Sequence, residues 1–180
     1  MFRLLVIVGS LRAASASKAL ARTLVNRLGP EVDVSYADIG GLPHYNADLT
    51  DNEAVGAFVE QIRAADGLLF VTPEYNFSVP GVLKNAIDWA SRPAYQSVFV
   101  EKPAMVISVS GGALGGVRAQ GHLKTILNAM LARVFVCQEI VVPLANERTV
   151  DGRFVHEATL EFALPKLHQF LVESSRASAR

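Results

Sequence analysis

Residues 2–18 read Phe-Arg-Leu-Leu-Val-Ile-Val-Gly-Ser-Leu-Arg-Ala-Ala-Ser-Ala-Ser-Lys. Leu4–Val8 is branched and aliphatic throughout, the pattern of a central parallel strand buried on both faces. From Lys18 the period becomes that of a helix, with Leu20, Ala21, Leu24, Val25 and Leu28 on one stripe and Gly29-Pro30 as its stop. Between the two lies Gly9–Ser17, small and rich in hydroxyls. A turn of this kind is where an α/β fold presents backbone N–H groups to an anion. Ser10, Ser15 and Ser17 add hydroxyls, and Arg12 adds a fixed positive charge with a forked set of donors. A plain capped turn, with Ser17 as N-cap and Arg12 in water, accounts for the same residues.

The pattern continues outward. Val32–Ala37 alternates like a more exposed strand, and Thr50-Asp51-Asn52-Glu53 predicts a capping box opening a helix striped by Val55, Phe58, Val59 and Ile62. Gly67–Thr72 is a third strand. Pro80 opens a helix carrying Leu83, Ala86, Ile87 and Ala90. Ala104–Val109 is a fourth strand, Leu123, Ile126, Leu127, Met130 and Leu131 mark a fourth helix, and Val134–Val142 is a fifth strand region. Leu160, Ala163, Leu164, Leu167 and Leu171 stripe a last helix that Pro165 should kink or delay. Residues 173–180 read as a frayed tail. The alternation predicts one α/β domain over residues 1–180, a parallel sheet with helices on both faces.

In such a sheet ligands bind beyond the carboxyl ends of the strands, where the winding reverses. Three loops leave strand ends with unusual chemistry: 9–17, 73–79 and 110–116. The first lacks the Gly-x-Gly-x-x-Gly of a dinucleotide site and the Gly-Lys-Ser/Thr of an NTPase loop, so a mononucleotide such as FMN suits it better. The second brings Tyr75 and Asn76. The third is almost free of side chains at Gly111 and Gly112, so backbone can approach a flat ring. Each loop alone has a duller reading: Tyr75 and Phe77 as a cover for the sheet end, the glycines as a tight turn. His44, His122, His156 and His168 show no metal-ligand spacing. Ser110 is not in a nucleophile elbow, and Lys84–Asp88 reads as a solvated helix pair.

Composition narrows the class. Apolar residues make up 51% of the 180 residues and charged ones 19%, as in a compact globular protein. Lys plus Arg and Asp plus Glu are equal at 17 each, which suggests neither nucleic-acid binding nor an acidic carrier surface. Cys137 is the single cysteine and reads as a small buried hydrophobe in an apolar strand. No apolar run reaches the ~18 residues of a membrane span, and no signal-peptide pattern is present. The expectation is a soluble, cytoplasmic protein.

Specific runs then resemble a known family. Gly9-Ser10-Leu11-Arg12 with Ser15 and Ser17, Leu42–Leu49, and above all Thr72-Pro73-Glu74-Tyr75-Asn76-Phe77-Ser78-Val79-Pro80-Gly81-Val82-Leu83-Lys84-Asn85-Ala86-Ile87-Asp88-Trp89 resemble the NADPH-dependent FMN reductases of the flavodoxin-like superfamily. Gly115–Leu123 is similar to that family's Gly-Gly-Ala-Arg-x-Gln-x-His-Leu stretch, and the likeness is close to the chromate- and quinone-reducing branch. The resemblance implies a flavodoxin-like sheet of strand order 2-1-3-4-5. It also implies a bound FMN, with NADPH or NADH stacking transiently on the flavin to deliver hydride to N5. The acceptors would be quinones, chromate, azo compounds or free flavin, reached by ping-pong kinetics without an essential side-chain acid or base. Carried over by position, Ser10, Arg12, Ser15, Ala16 and Ser17 would hold the phosphate. Pro73, Glu74, Tyr75 and Asn76, with Ser110, Gly111 and Gly112, would line the isoalloxazine. Ser17 stands where many members have Asn. Relatives form dimers or dimers of dimers, which implies a homodimer or homotetramer with the helix around Trp89 in its interface. The rival readings are a flavodoxin-type electron carrier and a flavin-free regulatory domain.

Overall fold

A computed structural model describes residues 1–178. Five strands and four helices alternate first: β1 Phe2–Val8, α1 Ala16–Val25, β2 Val32–Tyr36, α2 Glu53–Ala64, β3 Gly67–Pro73, α3 Gly81–Ala90, β4 Pro103–Val109, α4 Val117–Ala129 and β5 Arg133–Val134. Then come β6 Ile140–Val142, a small antiparallel hairpin of β7 Thr149–Val150 with β8 Arg153–Phe154, and α5 Glu157–Ser178. The main sheet is parallel in the order β2-β1-β3-β4-β5, with β6 also pairing β4. The expected flavodoxin-like order is therefore present.

Side chains alternate along β1 and β3, and this sorts the core into two layers. Leu4, Val6, Leu69 and Val71 pack with Leu20 and Leu24 of α1 and Leu167 and Phe170 of α5. Leu5, Ile7, Leu68 and Phe70 pack with Phe58 and Ile62 of α2, Leu83 of α3 and Leu123 of α4. Each such fully buried aliphatic side chain contributes about 1.5–3 kcal/mol. The all-apolar reading of β1 and β3 follows from this burial on both faces, while β2 at the edge alternates because one face meets water.

Several expectations need correction. The N-cap of α1 is Ser15, whose hydroxyl accepts the amide of Lys18 at 3.4 Å, so Ser17 sits inside the first turn. No Thr50–Glu53 capping box forms. Asn52 caps α2 by accepting the Val55 amide at 3.1 Å, and Thr50 turns to Asp51. The fifth strand region is two short strands, because the chain leaves the sheet between Val134 and Ile140. Gln120 of α4 fills the gap: its buried Nε2 donates to the carbonyls of Val106 at 3.0 Å and Ile140 at 3.3 Å. Cys137 lies in that excursion, half-buried rather than in a strand, and burial pushes its thiol pKa up.

Helix α5 starts well before Pro165 and carries it within the helix. Proline has no N–H to donate back one turn. Beside it, the Lys166 ammonium donates to the Phe162 carbonyl at 3.0 Å. Residues 173–178, expected to fray, continue the helix, with Ser174 buried and Ser175 Oγ bonded to the Leu171 carbonyl. Residues 179–180 of the expected tail lie outside the described residues.

Candidate functional site

The three loops converge at the carboxyl ends of β1, β3 and β4 around one open cleft of about 110 Å³. The first loop contributes Ser10, Arg12, Ser15, Ala16 and Ser17. The second contributes Pro73, Glu74 and Tyr75, and the third Ser110 and Gly111. Asn76 and Gly112 are not on its wall. Val109 and Asn146 are, and neither was expected.

Helix α1 sets the polarity of the cleft. Its first N–H groups have no carbonyl one turn back to bond, and Ser15 takes only that of Lys18. The amides of Ala16 and Ser17 and the guanidinium of Arg12 make no hydrogen bond within the chain, among the described residues. The Ser17 hydroxyl, though nearly buried, also has no protein partner. A helix N-terminus with an unpaired cation beside it favours an anion. Across the cleft the Tyr75 hydroxyl meets Ser10 Oγ at 3.3 Å, so the aromatic ring is tied to the phosphate-type loop.

The second loop is a tight hairpin. Tyr75 and Ser78 exchange two backbone hydrogen bonds of 3.1 Å, and Asn76 and Phe77 between them both have positive φ, +47° and +66°. Two positive-φ residues in a two-residue loop is the I′ pattern, unusual for a side chain as bulky as phenylalanine. It puts Asn76 at the exposed apex, away from the cleft wall. Helix α4 holds the hairpin in this shape. The Arg118 guanidinium lies 4.9 Å over the Phe77 ring, and Ser78 Oγ bonds His122 Nδ1 at 2.9 Å. Glu74, on the cleft wall, accepts the amides of Arg118 and Ala119 with its carboxylate.

The third loop is zipped to the segment after β6. Ser110 N donates to the Val142 carbonyl, Ala145 N to the Ser110 carbonyl, and Leu144 N to that of Gly112. This register delivers Asn146 to the cleft. A Cβ on Gly111 would stand 2.6 Å from Asn146 Nδ2, so the glycine makes room for an amide. Gly112 serves the zipper instead. Sequence reasoning missed Asn146 because its position depends on pairing after β6.

Residues 2–147 match the family described as NADPH-dependent FMN reductase. The chain belongs to that family. It is 44% identical over 164 residues to the 2-hydroxy-1,4-benzoquinone reductase of Burkholderia sp, covering 89% of each chain. It is 42% identical over 169 residues to an NAD(P)H-dependent FMN reductase of Pseudomonas aeruginosa, covering 92% of this chain and 91% of the relative. Among solved structures it is similar to FerB, a flavoenzyme NAD(P)H:(acceptor) oxidoreductase from Paracoccus denitrificans, at TM-score 0.88, 34% identity and 98% coverage of both chains. As a member of the NADPH-dependent FMN reductases it is an oxidoreductase with FMN as cofactor and NAD(P)H as electron donor. The unpaired donors of the cleft fit the phosphate of that cofactor.

Other signature residues of the FMN reductases have structural work within the chain. Asn85 accepts the Tyr45 amide at 2.7 Å and donates to the Pro43 carbonyl at 2.9 Å. Trp89 Nε1 donates to the same carbonyl at 2.7 Å, and its ring meets Tyr45 edge-on. Trp89 is thus buried against the 43–45 loop of its own chain. Lys84 and Asp88 form the expected pair at 2.7 Å. No described helix is long and apolar enough to cross a membrane.

Proposed function

We propose that this chain is an FMN-dependent NAD(P)H:quinone reductase whose donor and acceptor take turns at one open face of the cleft. FMN, when bound, supplies the redox chemistry by accepting a hydride from NAD(P)H and passing electrons on. Arg12, Ser17, Ser15 and the first amides of α1 hold its phosphate, with Ser10 and Ala16 completing that wall. Tyr75, Pro73, Ser110, Gly111 and Asn146 flank the ring. Glu74 lines the same wall while bonded to α4, and Asn76 and Gly112 act from behind, through the hairpin apex and the zipper.

The observation that carries this reading is the set of unpaired donors at the α1 N-terminus. The cleft, at about 110 Å³, is smaller than the ~300 Å³ of an enclosed small-molecule pocket, which favours a ring lying on an open surface. An open face admits flat acceptors of more than one kind: quinones first, by the named activity of the Burkholderia relative, and then azo compounds, chromate or free flavin. One shared face also means that the donor leaves before the acceptor enters. A homodimer or homotetramer in the cytoplasm completes the proposal.

Steady-state kinetics with a benzoquinone and either nucleotide test it. Parallel double-reciprocal lines are expected from flavin-loaded protein. Intersecting lines would exclude a shared face. Retained flavin with no NAD(P)H consumption would make the chain an electron carrier.

A further inference from the structure

On the other side of the opening loop lies a second and larger cavity, about 370 Å³, at the carboxyl end of β2. That volume is within the usual range for small-molecule sites. Ser10 stands in the wall of both cavities, and half-exposed Leu11 in that of the larger one. The walls are apolar, from Val8, Leu11 and Ile39, with Tyr36 as an aromatic face. Lys18 and Arg22 rise from α1 at its rim, four residues apart and therefore on the same helix face. Arg22 makes no hydrogen bond or ion pair through its side chain among the described residues. Among the described residues the Lys18 ammonium donates only to the Leu11 carbonyl, at 3.2 Å. In the same wall Asp38 accepts the Gly40 amide with one carboxylate oxygen, and the other makes no hydrogen bond among the described residues.

An apolar slot with an aromatic wall takes a flat heterocycle. Two cations at its rim take an anion attached to it, and the free carboxylate oxygen takes a hydroxyl or amino group. In dinucleotide-binding Rossmann units an acidic residue hydrogen-bonds a ribose hydroxyl and a nearby arginine accommodates a 2′-phosphate, and Asp38 and Arg22 bring the same two groups to this cavity. The cavity shares Ser10 with the cleft, so the adenosine end of a dinucleotide can lie in it while the nicotinamide end reaches over the open face of the cleft.

We propose that this cavity takes the adenosine 2′-phosphate end of NADPH, with Arg22 and Lys18 binding the phosphate, and that it makes the enzyme prefer NADPH to NADH. The proposal rests on NAD(P)H being the donor, and it assigns the donor a docking place that the cleft alone lacks.

The test is calorimetric binding of adenosine 2′,5′-bisphosphate and of 5′-AMP to flavin-loaded protein, in the wild type, Arg22→Gln and Lys18→Gln. The kcat/KM ratio of NADPH to NADH is measured in the same three proteins. A charge-assisted phosphate contact predicts that the bisphosphate binds about 10- to 150-fold more tightly than 5′-AMP, and that Arg22→Gln removes most of this margin. The kcat/KM ratio should fall by a similar factor. Arg22 is exposed on the helix, so an unchanged melting temperature confirms folding. Equal binding of the two nucleotides by the wild type would overturn the proposal. So would a margin that survives both Arg22→Gln and Lys18→Gln, since the 2′-phosphate would then be bound elsewhere. Bisphosphate binding without any NAD(P)H oxidation would keep the cavity and sink the reductase reading instead. Oxidation of both nucleotides with no bisphosphate margin would do the reverse.

Discussion

Glu74 caps a helix that begins more than forty residues further along the chain: its Oε2 accepts the amides of Arg118 at 3.0 Å and Ala119 at 3.1 Å. The N-cap of α4 is Gly116 at φ +83°, which has no side chain to do this itself. The Gly116 position also brings backbone close to Ser108, where a Cβ would come within 3.1 Å of the serine's. A side chain from the residue that leads into the Tyr75–Ser78 hairpin therefore replaces a local cap.

Removing that cap should loosen both partners. Glu74→Ala is expected to lower stability by about 1–2 kcal/mol, the usual cost of a lost N-cap with its favourable charge at the helix start. Glu74→Gln, which keeps an accepting oxygen, should lose less. Denaturant unfolding checks the ranking, and equal losses would mean that charge alone matters.

Arg12→Ala should weaken FMN binding by about 10- to 150-fold, the worth of one charge-assisted contact to phosphate. Flavin fluorescence titration of the apoprotein reads this directly. Riboflavin, which has no phosphate, should bind wild type and variant alike. A variant that keeps FMN as tightly as the wild type would remove Arg12 from the phosphate site.

Gln120→Leu leaves the Val106 and Ile140 carbonyls facing an apolar group. Each unpaired buried carbonyl costs about 1–3 kcal/mol, so a loss of about 2–6 kcal/mol is expected, less what is regained by removing the buried, unpartnered Gln120 Oε1. Hydrogen exchange should show the amides of β6 losing protection before those of β1 and β3. Uniform loss across the sheet would contradict the local role.

The Arg3–Asp66 pair should show in the pH dependence of stability. Hydrogen bonds from the Arg3 guanidinium and amide hold the Asp66 carboxyl below its usual range, against a smaller opposing effect of burial. A carboxyl whose folded pKa is depressed stabilises the fold above the unfolded value, near pH 4, and the contribution fades as pH falls through the lower folded value. Asp66→Asn should therefore cost up to about 1 kcal/mol at pH 7, and little at pH 2. Arg3 is more than half exposed, so added salt should shrink the difference.

The parts of this molecule that were legible in sequence share a physical reason. β1 and β3 are buried on both faces, so their composition alone marks them, and the loops that leave them carry residue types with few other uses. The 72–89 run showed the family directly. What stayed hidden depends on distant pairing. Asn146 reaches the cleft only because 142–145 zips to 110–112, and the split of the fifth strand follows from Gln120, a residue on a helix. Both Thr50 and Asn52 are competent caps, and only the path of the chain selects Asn52. The Glu74 carboxylate sat in a recognised motif, yet nothing local in that motif points to α4.

The split between β5 and β6 also decides how this edge of the sheet meets other molecules. A long, flat edge strand offers a continuous row of N–H and C=O groups that a second chain can extend. Here the edge is two residues, an excursion, and three residues. The excursion bears Val136 almost fully in water, so the row is broken where it would be longest. A neighbouring strand finds no register to follow. The opposite edge, β2, is one unbroken run of five residues, so regular pairing with a further strand is disfavoured at this edge and not at that one.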